Sequence, residues 1–212
     1  MLEKVLLSKA GIMKSSFWYC SRRMICGLVA IANYRLTKHR KDKAEADKEL
    51  KFFRTVVKEG AINLVHKLQL LEAEMSALNY VACFTTTRPS ADDVLAKYDE
   101  AIVSSSRSGY LQDAALANYL CFQFIQAQQV RVHMAELYLK RSFELWMSWG
   151  AVTVATSLVD RHPDMFNAES VRLSISSRKG SLTSSSSSGG GLKSRPRFDA
   201  HLSSQHKELN VI

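Results

Sequence analysis

The chain is poor in residues that break helices. Its 212 positions hold three prolines and nine glycines, and between Gly27 and Gly150 the only glycines are Gly60 and Gly109. It lacks any sustained alternation of apolar and polar residues, the mark of a half-buried strand. It lacks an apolar run long enough to cross a bilayer, which takes roughly 20 residues. The best candidate, MICGLVAIANY at 24–34, is short and bracketed by Arg22, Arg23 and Arg35, so it reads as a buried helix. There is no CxxC pair among Cys20, Cys26, Cys83 and Cys121, and the six histidines are scattered. Neither pattern spells a metal site. The cysteines read as small apolar filler in a reducing compartment, and the expected location is the cytoplasm. No GxxxxGK[ST] phosphate loop and no HRD or DFG motif occurs, which removes the standard phosphoryl-transfer signatures.

Acidic residues are nearly missing from the first 41 positions, which carry nine Lys/Arg against Glu3 alone. Residues 42–163 are close to neutral, so most of the net +9 sits at the ends of the chain. A basic stretch at an end suits a solvated arm better than a nucleic-acid groove built into a fold. The first forty residues share their acid-poor composition with transit peptides, yet the apolar helix runs straight on into the body. Residues 1–16 are therefore read as a basic arm.

What is present is helical periodicity. A first helix spans about 17–36, with Met24, Ile25, Leu28, Val29, Ala32 and Leu36 as its apolar face. After the charged break TKHRKDK, a second helix runs over about 43–58 with Leu50, Phe53, Val56 and Val57 inward and Gly60 at its end. A third, about 61–79, carries Leu64, Val65, Leu68, Leu71, Met75 and Leu78, with Glu72 and Glu74 on a solvated edge. Ser90 and Asp93 form a capping-box pattern for a fourth helix at 91–107, which Gly109 ends. The fifth, about 111–128, begins with Gln112 and Asp113 and buries Leu116, Tyr119, Leu120 and Phe124. The sixth, about 131–149, carries Tyr138, Leu139, Ser142, Leu145, Trp146 and Trp149 inward, with Gly150 past its end. A short seventh follows to about 161. Trp146, Trp149 and Gly150 thus read as a joint between stacked helices rather than a ligand-stacking pair. Residues 163–212 turn Ser/Gly-rich and read as a disordered tail. In it, Ser174 and Ser181 follow basic residues closely enough to be candidate phosphorylation sites.

Seven helices on short turns make a bundle or a solenoid, and an internal repeat decides for the second. Val94, Tyr98 and Ala101 follow a small-bulky-small pattern at steps of four and three, and Ala135, Leu139 and Ser142 repeat it. The expected fold is all-α: antiparallel helix pairs stacked as a right-handed solenoid over 17–162.

LLEAEM (70–75), KYDEAI (97–102), SGYLQDAALAN (108–118), YLKRSFELW (138–146) and WGA (149–151) together resemble the tetratricopeptide-like helical stretch of large signalling proteins. In that family the stretch follows a kinase-like domain and a STAND/AAA-type ATPase, and GAF, histidine-kinase or nucleotide-cyclase domains often come after it. The variant is of the diatom type. Two departures are Tyr119, where the family has an acidic residue, and a long polar loop over 79–93. The resemblance implies a non-enzymatic module for protein–protein interaction or signal relay, a fragment or remnant of a larger protein. It implies a protein partner and neither a cofactor nor a small-molecule substrate. Contact of the basic ends with an anionic membrane or a nucleic acid is the alternative.

Overall fold

The computed structural model describes residues 17–81 and 88–167. Among them the only regular structure is helical. Seven α-helices follow in order: α1 Phe17–Thr37, α2 Arg40–Lys58, α3 Val65–Val81, α4 Ala91–Arg107, α5 Leu111–Gln128, α6 Ala135–Trp149 and α7 Val152–Arg161. Single 3-10 turns precede α3 and α6, and a third, Pro163–Met165, follows α7. The folded chain continues past residue 162, because Phe166 lays its ring 5.4 Å from that of Phe143. The basic arm 1–16, and Ser174 and Ser181 in the tail, lie outside the described residues.

Each helix packs on the next, and α1 also meets α3 while α3 meets α5. The core lies between the layer α1, α3, α5 and the layer α2, α4, α6. The small-bulky-small triplets sit in that seam. Val94, Tyr98 and Ala101 on α4 and Ala135, Leu139 and Ser142 on α6 are all essentially inaccessible. A third triplet in the same register, Ala46, Leu50 and Phe53 on α2, is buried too, with Phe in the last place where the other two have a small residue.

Local chemistry explains the boundaries. The break before α2 is only Lys38 and His39. The Thr37 hydroxyl accepts the His39 N–H at 3.2 Å and bonds Asp42 Oδ2 at 3.0 Å, so the next helix starts at Arg40. Ser90 caps α4: its hydroxyl accepts the Asp93 N–H at 3.1 Å, and Asp93 Oδ2 accepts the Ser90 N–H at 2.8 Å. Gly150 ends α6 at φ +101°, a backbone that side-chain-bearing residues rarely adopt.

Several expectations about faces need correction. On α1 the inward line is Cys20, Met24, Gly27 and Ile31, whereas Ile25, Val29, Ala32 and Leu36 are exposed. The helix is apolar on two sides, and ion pairs choose between them: Arg23 reaches Glu49 of α2 and Arg35 reaches Glu74 of α3. Gly27 makes the close contact. A Cβ there would lie 2.8 Å from a Leu71 methyl and 3.2 Å from Glu49 Cβ. Gly27→Leu should therefore overpack the α1–α2–α3 junction and destabilise by about 1–3 kcal/mol, read by urea denaturation. An unchanged midpoint would show that the junction opens at no cost.

The second correction is Trp149, which is 54 % exposed. Antiparallel packing sets the last turn of α6 beside the first turn of α5. Trp146 packs there on the cluster that includes Ala114 and Ala115, but α5 has no further turn to cover Trp149. That ring meets the Trp146 ring edge-on at 5.7 Å. Trp149→Ala should thus cost about 1 kcal/mol, the scale of an aromatic pair, and not the several kcal/mol of a core truncation. A denaturation midpoint displaced as far as that of a core variant would contradict this. On α5, Leu116, Tyr119 and Leu120 are half-buried rather than buried.

Candidate functional site: a groove beside the inner helix layer

Two hollows flank α5. The first, about 280 Å³, is lined by Arg35 of α1, Lys38 just past its end, Glu74, Leu78 and Val81 of α3, Tyr98 of α4, and Gln123 and Phe124 of α5. The second, more open and about 500 Å³, is lined by Tyr119, Phe122, Gln123 and Gln126 of α5 with His162 and Met165. Gln123 and Ala127 border both, so the hollows adjoin as one groove.

The floor of the first hollow is an ionic knot. Glu74 is 2 % exposed, which corrects the solvated edge expected of it. Its Oε2 takes an ion pair from Arg35 Nη2 at 2.7 Å, its backbone carbonyl accepts from the same nitrogen at 3.2 Å, and its Oε1 accepts the Tyr98 hydroxyl. Burial, and then the facing Glu74 carboxylate, push the Tyr98 phenol far above its ordinary value, so Tyr98 acts as a hydrogen-bond donor and not as a base. Leu78 and Phe124 supply apolar wall, and Tyr80 meets Phe124 edge-on at 5.4 Å. The Arg88 guanidinium lies over Tyr80 at 4.4 Å. At the second hollow, Arg161 Nη1 donates to the Tyr119 hydroxyl at 3.0 Å. His162 Nε2 is buried with no hydrogen-bond partner among the described residues. Burial, and then Arg161, lower the His162 pKa, so its imidazole is neutral at pH 7.

A second buried knot lies apart from the groove. Asp113 Oδ2 accepts from His66 Nε2 at 2.8 Å and from the Lys67 ammonium. The Tyr110 ring stacks on His66 at 4.3 Å and lies below the Lys67 nitrogen. Burial pushes the Asp113 carboxyl up, but His66 and Lys67 outweigh it and hold it below the ordinary carboxylate range. A His–Asp pair can relay a proton, yet none of these residues lines either hollow. His66, Glu72 and Glu74 do not converge: His66 joins Asp113, Glu72 joins exposed Arg54, and Glu74 joins Arg35. No group of three or more His, Cys, Asp or Glu able to hold a metal occurs among the described residues.

Of Tyr98, Ala101, Gly109, Leu116, Tyr138, Trp146, Trp149 and Gly150, Tyr98 alone lines the groove. Ala101 is buried in the seam. Tyr138 is buried beside it and donates to Asp99 Oδ1 at 2.8 Å. Gly109 and Gly150 turn the chain with φ of +77° and +101°. Leu116, Trp146 and Trp149 lie away from both hollows. No family model, no curated protein and no solved structure matches the chain.

Proposed function

We propose that this chain is a non-catalytic helical-repeat module that binds a protein partner, as in the tetratricopeptide-like stretch of multidomain signalling proteins that its sequence resembles. The observation that carries this reading is the groove. It combines aromatic wall, neutral hydrogen-bonding groups at Gln123, Gln126 and His162, and an excess of cations over its one acid, Glu74. Such a surface suits an extended peptide with acidic side chains, and it lacks the enclosed depth of a small-molecule site. The triplets buried at one register on α2, α4 and α6 support stacking of the helix pairs as a solenoid, whose inner layer then presents the groove.

Ala127 is exposed where the hollows meet. Ala127→Trp fills both without touching the core. Screening the chain and this variant against a display library of acidic and neutral peptides tests the reading. Acidic ligands that bind the parent should lose at least tenfold in affinity, about 1.4 kcal/mol. Equal binding by the variant would exclude the groove as the site.

A further inference from the structure

The first hollow has an apolar wall and a polar floor that is already satisfied. Ala77, Leu78, Val81, Leu120, Phe124 and Ala127 form the wall. On the floor, Arg35 and Tyr98 each bond one oxygen of Glu74, so the two charges cancel and the carboxylate has a partner at both ends. The buried side-chain atoms without a hydrogen-bond partner among the described residues belong to Ser21, Gln69 and His162, and none of these lines the first hollow. A polar guest would give up water and gain little at this floor. An apolar guest would take its own surface and the wall out of water together.

The size is that of one side chain. An apolar cavity of about 150 Å³ holds benzene, and this hollow measures about 280 Å³. Phe124 stands edge-on to Tyr80 and tilted against Tyr98, so an entering ring would extend an aromatic cluster.

Charge decides what stands next to that ring. With Arg35 and Glu74 cancelling, Lys38 is the cation left over at the rim. It forms no ion pair among the described residues, and its ammonium lies 5.7 Å from the centroid of the Tyr34 ring. Val81 and Gln128, the last residues of α3 and α5, border the hollow as well. The C-terminal ends of α1, α3 and α5 thus meet here, and their carbonyls repel a carboxylate held over the hollow itself. An acid is better placed outside, beside Lys38, while the hollow takes an uncharged group.

Resting on the groove as a peptide site, we infer that the first hollow anchors an aromatic side chain of the partner, with an aspartate or glutamate close to it in sequence paired to Lys38. Val81, 49 % exposed, forms the lip over which the ring enters.

Random peptides displayed on phage and selected on the full chain supply the probe. The strongest binders should carry an aromatic residue beside an acid. In a synthetic copy of one such peptide, alanine at the aromatic position should weaken binding by about tenfold or more, and lysine at the acidic position should do the same. Lys38→Glu should reverse the second preference, so that the lysine peptide binds the variant more tightly than the acidic one does. Lys38 is exposed, and circular dichroism checks that the variant keeps its helices. Acidic ligands that are lost with Ala127→Trp yet tolerate alanine at the aromatic position would overturn the anchor and leave the groove as a peptide site. Ligands indifferent to Ala127→Trp would remove the groove itself. A selection without acidic–aromatic peptides, or an unchanged order of the two peptides on Lys38→Glu, would also overturn the pairing of ring and acid.

Discussion

Asp113→Ala should destabilise the protein by about 3–5 kcal/mol, the scale for leaving a buried charge without its partner. Lys67 is 1 % exposed and His66 likewise, so neither can turn to water when the carboxylate goes. The stem of Lys67 would stay in place while its ammonium lost the carboxylate that it pairs with. Asp113→Leu combined with Lys67→Met removes both charges and should recover most of that loss. Chemical denaturation of the parent, the single and the double variant reads the difference. A double variant as unstable as the single one would show that the loss comes from packing and not from an orphaned charge. The pH dependence carries a sign as well. The folded Asp113 pKa is depressed, so the knot's contribution is whole above the ordinary carboxylate value of about 3.9 and is lost as pH falls below it through the folded value. The parent should therefore lose more stability than Asp113→Leu/Lys67→Met on going from pH 4 to about pH 2. Parallel curves would exclude the linkage.

Tyr98→Ala should be comparably damaging. Tyr98 is fully buried in the α4 triplet, and truncating a core aromatic costs about 3–5 kcal/mol. It also takes one of the groups that hold Glu74. Tyr98→Phe separates the two effects. It keeps the ring and removes only the hydroxyl bonded to Glu74 Oε1, so about 1–3 kcal/mol should go. If Tyr98→Phe matched Tyr98→Ala, the hydrogen bond would outweigh the packing; if it matched the parent, Arg35 alone would satisfy Glu74. The phenylalanine variant also removes a hydroxyl from the floor of the groove, so its affinity for a groove ligand shows whether the floor is read.

Periodicity located the helices well because most carry a single apolar stripe and end at glycine or a capping box. α4, with Ser90 and Asp93 at one end and Gly109 at the other, occupies the residues its signals mark. Faces were harder wherever two lines compete. On α1 the lines Cys20–Met24–Gly27–Ile31 and Trp18–Arg22–Ile25–Val29 are equally regular, and the choice depends on Glu49 and Glu74, whose spatial position no local pattern reveals. Trp149 continues the α6 stripe correctly, but whether a facing helix extends that far is a matter of register between helices. The groove was almost illegible, since Arg35, Gln123 and His162 are ordinary polar residues until packing assembles them. A signal did exist for Glu74. It stands three after Leu71 and four before Leu78, on the apolar line itself, where a carboxylate implies a partner. His66 and Lys67 likewise interrupt the run from Leu64 to Leu68. Asp113 stands in a first turn, where an acid complements the helix dipole, so no local signal marks its pairing.

Every helix is tied by a polar contact beyond its neighbour in sequence or across the next turn. Arg23 joins α1 to α2, Arg35 joins α1 to α3, Asp113 joins α5 back to α3, Tyr138 joins α6 back to α4, and Arg161 joins α7 back to α5. A stack held only by nearest-neighbour packing frays from its ends one unit at a time. Here the charges of α3 cannot be exposed without disturbing α1 and α5 together, so α1 through α6 should open as one cooperative unit. The exception is α7, whose tie is a solvent-exposed arginine. Its amides should exchange with deuterium first, from an opened form that leaves the rest of the chain closed. That opening removes one wall of the second hollow, because His162 and Met165 leave with it. The groove accordingly has a fixed half over Glu74 and an adjustable half over Tyr119, and a ligand held at the first can draw the second closed around it.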